Sequence, residues 1–147
     1  MDKKLTSLFS LLAIASFALM AFGTLVLFSG CDKKQIDLKV IDKEISFTES
    51  RIEQFNVLAA QAKNADEQIA AKNSLSFFSG QIEALKALKG KKTAFEIEQM
   101  RSFALWENSA ANKRSNERPN DQSLALSAKF WEGYTNALAL HAPENPQ

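Results

Sequence analysis

The sequence predicts an all-α domain, a three- or four-helix antiparallel bundle, behind an N-terminal hydrophobic signal or anchor helix. Three observations carry that prediction. From Leu38 onward apolar residues recur in alternating steps of three and four, the spacing of one helix face. Breakers are scarce: after Cys31, glycine occurs only at Gly80, Gly90 and Gly133, and proline only at Pro119, Pro143 and Pro146. No stretch alternates apolar and polar residues with the period of two that a strand needs, and there is no Asn-Gly turn.

The first element is the uncharged run Leu5 to Gly30, preceded by Lys3 and Lys4. A positive start, an apolar stretch and small residues before a cut site are the parts of an export signal. Its apolar core, Leu5 to Phe28, is 24 residues. As a helix it would reach about 36 Å, enough to cross the ~30 Å hydrocarbon core of a bilayer. Length alone therefore leaves two expectations open, a cleaved signal peptide over residues 1–30 or an uncleaved transmembrane anchor.

Phe28-Ser29-Gly30-Cys31 resembles the lipobox of bacterial lipoproteins. Ser29, Gly30 and Cys31 match that pattern, and Phe28 stands where the family usually has leucine. The resemblance implies cleavage between Gly30 and Cys31, with lipidation (palmitate among the chains) at Cys31. It also implies that Asp32 is a sorting residue of the inner-membrane type. One acyl chain anchors marginally and two or more hold stably, so a lipidated Cys31 would replace the cleaved helix as anchor. The implied location is the bacterial cell membrane, inner or outer, with the domain on the extracytoplasmic, periplasmic side.

Residues 31–35 read as a short polar tether, 36–141 as the helical domain, and 142–147 as a flexible tail. Leu38, Ile41, Ile45, Ile52, Phe55, Ala59, Ala62 and Ile69 form a seam whose remaining positions are Thr48 and Asp66. Val40, Phe47 and Leu58 widen it, which suits a bundle helix. A break is expected near Asn64-Ala65-Asp66. A second helix, about Asp66 to Lys89, presents Leu75, Phe78, Ile82, Leu85 and Leu88. Gly80 inside it would admit a close neighbour, and Gly90 would serve as a left-handed stop. Thr93-Ala94-Phe95-Glu96 is a capping box opening a third helix with Phe95, Ile97, Met100, Phe103, Ala104 and Trp106, expected to end near Ala111. Residues 112–121, NKRSNERPND, read as a loop. Asn120 or Asp121 would cap a fourth helix to about Leu140. Short connections favour antiparallel neighbours. A long hairpin completing its core as a homodimer is the alternative.

Composition narrows function. From Cys31 on, Lys plus Arg and Asp plus Glu balance at 16 each once Lys3, Lys4 and Asp2 are set aside from totals of 18 and 17. A general nucleic-acid binder needs a basic excess, so no nucleic-acid partner is expected. Cys31 is the only cysteine, which excludes an internal disulfide. One cysteine and one histidine do not make a His/Cys metal site, and no glycine-rich phosphate loop is present. No cofactor, metal or enzymatic activity is expected. His141, the lone histidine, is expected to face solvent at a frayed end. The carboxylate pairs Glu49/Glu53 and Glu96/Glu98 read as ordinary polar helix faces. The lysines between Lys86 and Lys92 suit a helix C-terminus, or anionic lipid headgroups.

The candidate partner surface is Trp106, Phe130, Trp131 and Tyr134, because Trp and Tyr are enriched at interface hot spots. The spacing of Trp131 and Tyr134 fits a buried stripe equally. Phe130 and Trp131 are adjacent and point to different faces, as do Phe77 and Phe78, so both members are buried only in a helix enclosed on two sides. The function expected is a membrane-tethered, non-enzymatic lipoprotein that binds another cell-envelope protein, in an assembly or exclusion role. The alternatives are a single-pass protein with a coiled-coil periplasmic stalk, similar to phage inner-membrane spanins, and a carrier of lipid or another small molecule.

Overall fold

The computed structural model describes residues 36–91 and 93–142. The predicted signal or anchor helix, the tether and residues 143–147 lie outside them. The described chain forms four helices: α1 Leu38–Gln61, α2 Ala65–Gly90, α3 Ala94–Glu117 and α4 Gln122–His141. No strand occurs among the described residues.

Each helix starts where a polar side chain satisfies its first free N–H groups. Asp37 Oδ1 accepts from the backbone N–H of Lys39 at 2.9 Å and of Val40 at 3.4 Å. Asn64 Oδ1 accepts from Glu67 N at 2.9 Å, and Glu67 reaches back to Lys63 N at 2.8 Å. The predicted capping box is present: Glu96 N donates to Thr93 Oγ1 at 3.2 Å and Thr93 N to Glu96 Oε2 at 3.0 Å. Asp121, rather than Asn120, caps α4 through Ser123 N and Leu124 N.

Two stops differ from expectation. α3 runs through the expected loop to Glu117. The polar residues of NKRSNE are compatible with helix: Asn112 Nδ2 donates to Asn108 O at 2.9 Å, and Lys113 and Glu117 pair one turn apart at 4.0 Å. The breaker is Pro119, which drives its predecessor out of the α region; Arg118 has φ −135° and ψ 71°. Gly90 is the last residue of α2 and has no positive φ. The turn is closed instead by Lys91 N donating to Leu88 O at 3.0 Å.

The centre of the fold is the contact between α2 and α4. A Cβ on Gly80 would lie 1.9 Å from the carbonyl oxygen of Phe130, and one on Gly133 would lie 1.9 Å from that of Phe77. Only glycine permits this approach. The glycine hydrogen occupies the Cβ direction and points at the oxygen, the arrangement of a Cα–H···O contact. The two helices run in the same direction. Ser76 Oγ donates to Leu126 O at 2.6 Å, Gly80 meets Phe130 and Tyr134, and Gln81 Nε2 donates to Asn136 Oδ1 at 2.9 Å.

α1 packs chiefly on α2, and α3 on α4. The α1–α2 hairpin is antiparallel, tied near one end by Lys89–Asp42 at 2.6 Å and further along by Phe55 stacked on Phe78 at 5.5 Å. Order along the chain is therefore up-down-up-down, as expected for an antiparallel bundle. The packing differs from a regular one, in which α2 and α4 would be the separated diagonal. Here the diagonal pair touches and the outer helices flank it.

The core lies toward the end where α1 begins and α4 finishes. Ile41, Leu85, Leu88 and Leu138 are fully buried there, joined by Ile97, Ala104, Ala137 and Ala142. Each large aliphatic removed from water contributes about 1.5–3 kcal/mol. Thr48 of the predicted seam is buried. Leu38, Phe47 and Leu58, also placed on that stripe, are exposed; Ile69 is exposed too and belongs to α2, past the turn that follows Gln61.

Gly80→Ala and Gly133→Ala should each destabilise the domain by about 1–3 kcal/mol through forced backbone separation. Gly90→Ala, with open space around it, should be neutral or stabilising by about 0.5–1 kcal/mol. Urea melts of the three variants check this; equal effects at all three positions would remove the central contact.

Candidate interaction surface

The four predicted aromatics come from α3 and α4. Trp131 is their hub. Its ring centroid lies 5.4 Å from Phe130 and 5.3 Å from Tyr134, and Phe103 of α3 meets it edge-on at 5.8 Å. Phe103 continues the chain of rings to Trp106 at 6.4 Å. Aromatic pairs at such distances and tilts add about 0.5–1.5 kcal/mol each beyond burial.

The predicted residues do not share one environment. Phe130, Trp131 and Tyr134 are half-buried, and Trp106 is 63% exposed. Neither Phe130 nor Trp131 is fully exposed, nor is Phe77 or Phe78. α4 lies between α2 and α3, and α2 between α1 and α4. Both central helices are therefore flanked on two sides, which shelters adjacent aromatics that point apart.

α3 carries the feature that one-face reasoning misses. Ile97, Ala104 and Ala111 repeat every seven residues and are buried. Phe95 at 70%, Phe103 at 55% and Trp106 at 63% exposure stand away from that seam. Gln99, Ser102 and Ser109 share the outward face, and Glu98 stands at its edge. Phe95, Glu98, Gln99 and Ser102 edge a shallow depression there. At 100° per residue the inward and outward sets separate to opposite sides of the helix. That arithmetic would have found the surface from the sequence; grouping all six apolar residues of α3 as one face hid it.

Charge borders the face. Arg101 lies 3.4 Å from Glu98, Arg114 lies 3.7 Å from Glu107, and Lys129 lies 2.6 Å from Glu132. Exposed pairs of this kind contribute little to stability. Burial, and secondarily the Glu83 carboxylate, hold the Tyr134 phenol above its usual value of 10.0. It stays a hydroxyl donor at physiological pH.

His141 is half-buried at the end of α4 rather than facing solvent on a frayed end. Burial lowers its pKa below the usual 6.5, opposed by the nearby Glu44 carboxylate. Glu96, one of the paired carboxylates, belongs to the capping box. Among the described residues no group of three or more His, Cys, Asp or Glu side chains is placed to hold a metal ion. Cys31, Gly30 and Asp32 lie outside the described residues. No known family, curated protein or solved structure matches this chain.

Trp106→Ala should leave stability within about ±0.5 kcal/mol, whereas Trp131→Ala should cost about 2–3 kcal/mol, less than a fully buried aromatic. Denaturant midpoints of the two variants check this. His141 gives a pH signature. The unfolded chain binds its proton more readily, so stability falls as pH drops from about 7 through 6.5 and toward the lowered folded value. His141→Gln should flatten that part of the slope, read from urea midpoints between about pH 7 and pH 5.

Proposed function

We propose that this chain is a membrane-tethered, non-enzymatic lipoprotein whose helical domain binds another cell-envelope protein through the outward face of α3. The observation that carries the binding half is the stripe of Phe95, Phe103 and Trp106, three large aromatics more than half exposed on one helix. An amphipathic partner helix laid along such a face would engage it through anchors three, four and seven residues apart. Trp106 is the expected hot spot, since it projects from a chain of packed rings and needs little ordering on binding.

The tether half rests on Phe28-Ser29-Gly30-Cys31 and its resemblance to a lipobox. Lipidation at Cys31 would hold the domain at the membrane, where an assembly or exclusion role places its partner. Two features favour this reading over the alternatives. The chain turns at Ala62–Asn64, which ends α1 well short of a stalk through Ile69. The Gly80–Phe130 contact brings two backbones together in the middle of the bundle, where a carrier would need its cavity.

Cys31→Ser should leave unprocessed precursor and abolish incorporation of labelled palmitate. Variant and wild type of equal mass and equal labelling would end the lipoprotein reading. Crosslinking and pull-down from native membranes should recover one envelope protein. Trp106→Ala should reduce its recovery roughly tenfold or more, as loss of a hot spot does, while the fold is retained by circular dichroism. Recovery unchanged by Trp106→Ala would move the interface elsewhere.

A further inference from the structure

The outward side of α3 repeats with the period of a coiled-coil seam. Phe95, Gln99, Ser102, Trp106, Ser109 and Lys113 follow one another in steps of four and three, and all six are exposed. The buried Ile97, Ala104 and Ala111 fall directly opposite on the same heptad. Phe103 and Leu105, the other exposed large apolar residues of α3, flank the seam on its two sides. α3 thus carries one seam for the core of its own domain and a second for another helix.

We propose that this other helix is α3 of a second copy of the chain, packed antiparallel about a two-fold axis. The inference rests on the reading that the outward face of α3 is a docking surface, and it names what covers that face in the free protein. The envelope partner then displaces the second copy.

The seam is complementary to itself. A two-fold axis beside Ala104 opposes every seam position to a seam position of the copy: Phe95 to Lys113, Gln99 to Ser109 and Ser102 to Trp106. The Trp106 ring lies over a serine, large on small, as interdigitating layers require. Gln99 and Ser109 are matched as hydrogen-bonding side chains. Lys113 lays its alkyl stem and its ammonium against the Phe95 ring. Phe103 and Leu105 fall next to the axis, one on each side, where each meets its own copy. All four exposed large apolar residues of α3 are covered in this one register.

Charge selects the orientation. Lys113 is the only charged residue in the seam. Antiparallel, it faces Phe95 of the copy with Glu96 and Glu98 close by. Parallel, it would face Lys113 of the copy, a like charge inside the contact. Its present tie to Glu117, at 4.0 Å between exposed side chains, contributes little that would be lost.

The area suits an exchangeable pair. Three aromatics of about 150–250 Å² each, all more than half exposed, together with Leu105 offer roughly 450 Å² per copy and about 900 Å² in the pair, the low end of specific interfaces. Both copies reach one membrane, since about an axis normal to the bilayer the two Asp37 ends stand at equal height.

The test uses the full chain reconstituted in phosphatidylcholine vesicles, with Gln99→Cys and Ser109→Cys made as separate variants. Both positions are polar and exposed, so neither exchange disturbs the core. After copper-catalysed oxidation, the crosslinked peptides are identified by mass, which also sets apart any peptide carrying Cys31. A mixture of the two variants should give the crosslink between positions 99 and 109 at least tenfold above the products joining like positions. Adding Trp106→Ala to both should reduce it about tenfold or more. Absence of the crosslink, dominance of the like-position products, or indifference to Trp106→Ala would each overturn the proposal. The envelope protein recovered by pull-down should suppress the crosslink when added; its persistence on chains that hold that protein would overturn the sharing of the face. Failure of the partner reading is separable: the crosslink formed with no envelope protein recovered leaves the second copy as occupant.

Discussion

The fold depends on a reciprocal contact between two glycines and two carbonyl groups. Gly80 sits on the backbone of Phe130, and Gly133 on that of Phe77. Small residues let helix backbones approach more closely than the usual 8–10 Å between axes. The approach is stabilised by neighbouring polar bonds, Ser76 to Leu126 and Gln81 to Asn136. It also explains a near-repeat in the chain. Phe77-Phe78-Ser79-Gly80 with Ala84-Leu85 matches Phe130-Trp131-Glu132-Gly133 with Ala137-Leu138, each residue displaced by 53. Two helices carrying the same Phe-aromatic-x-Gly-x-x-x-Ala-Leu pattern are matched surfaces, and in a parallel pair each glycine falls opposite the other helix's phenylalanine carbonyl.

The contact governs what the outer helices do. With α2 and α4 together in the middle, α1 rests on one and α3 on the other. Each outer helix buries a single side. On α1 the opposite side leaves Phe47, Val57 and Leu58 exposed, with Arg51 placed 5.0 Å over the Phe47 ring. On α3 it leaves Phe95, Phe103 and Trp106. α3 is the sharper case, because its inner seam of Ile97, Ala104 and Ala111 is as regular as its outer aromatic stripe. A helix apolar on two opposite sides is satisfied only when something covers both.

Polar chemistry sets the ends. Asn64, Thr93 and Asp121 each cap a helix three or four positions after the previous one stops, and Asp37 caps the first described helix. Where α1 begins, Asp37 caps the helix and Asp42 pairs with Lys89, so the same acidic residues set the helix start and tie α1 to the end of α2. The lysines around Gly90 were legible as helix-terminal cations. That Lys89 reaches Asp42 required the packed hairpin.

The sequence by itself determined the helical class and the four starts. Those features are local: a capping side chain acts over three residues and an amphipathic period over a dozen. Tertiary structure decided which helices touch. The steps of three and four in α1 and α3 are the same whether the neighbour is consecutive or diagonal, so they could not reveal that α2 and α4 meet. Nor could they divide α3 into an inner and an outer face until a neighbour claimed one of them. Gly80 was readable as a place for close approach, but the identity of what approached it, Phe130 on a helix fifty residues later, belongs to the packed chain alone.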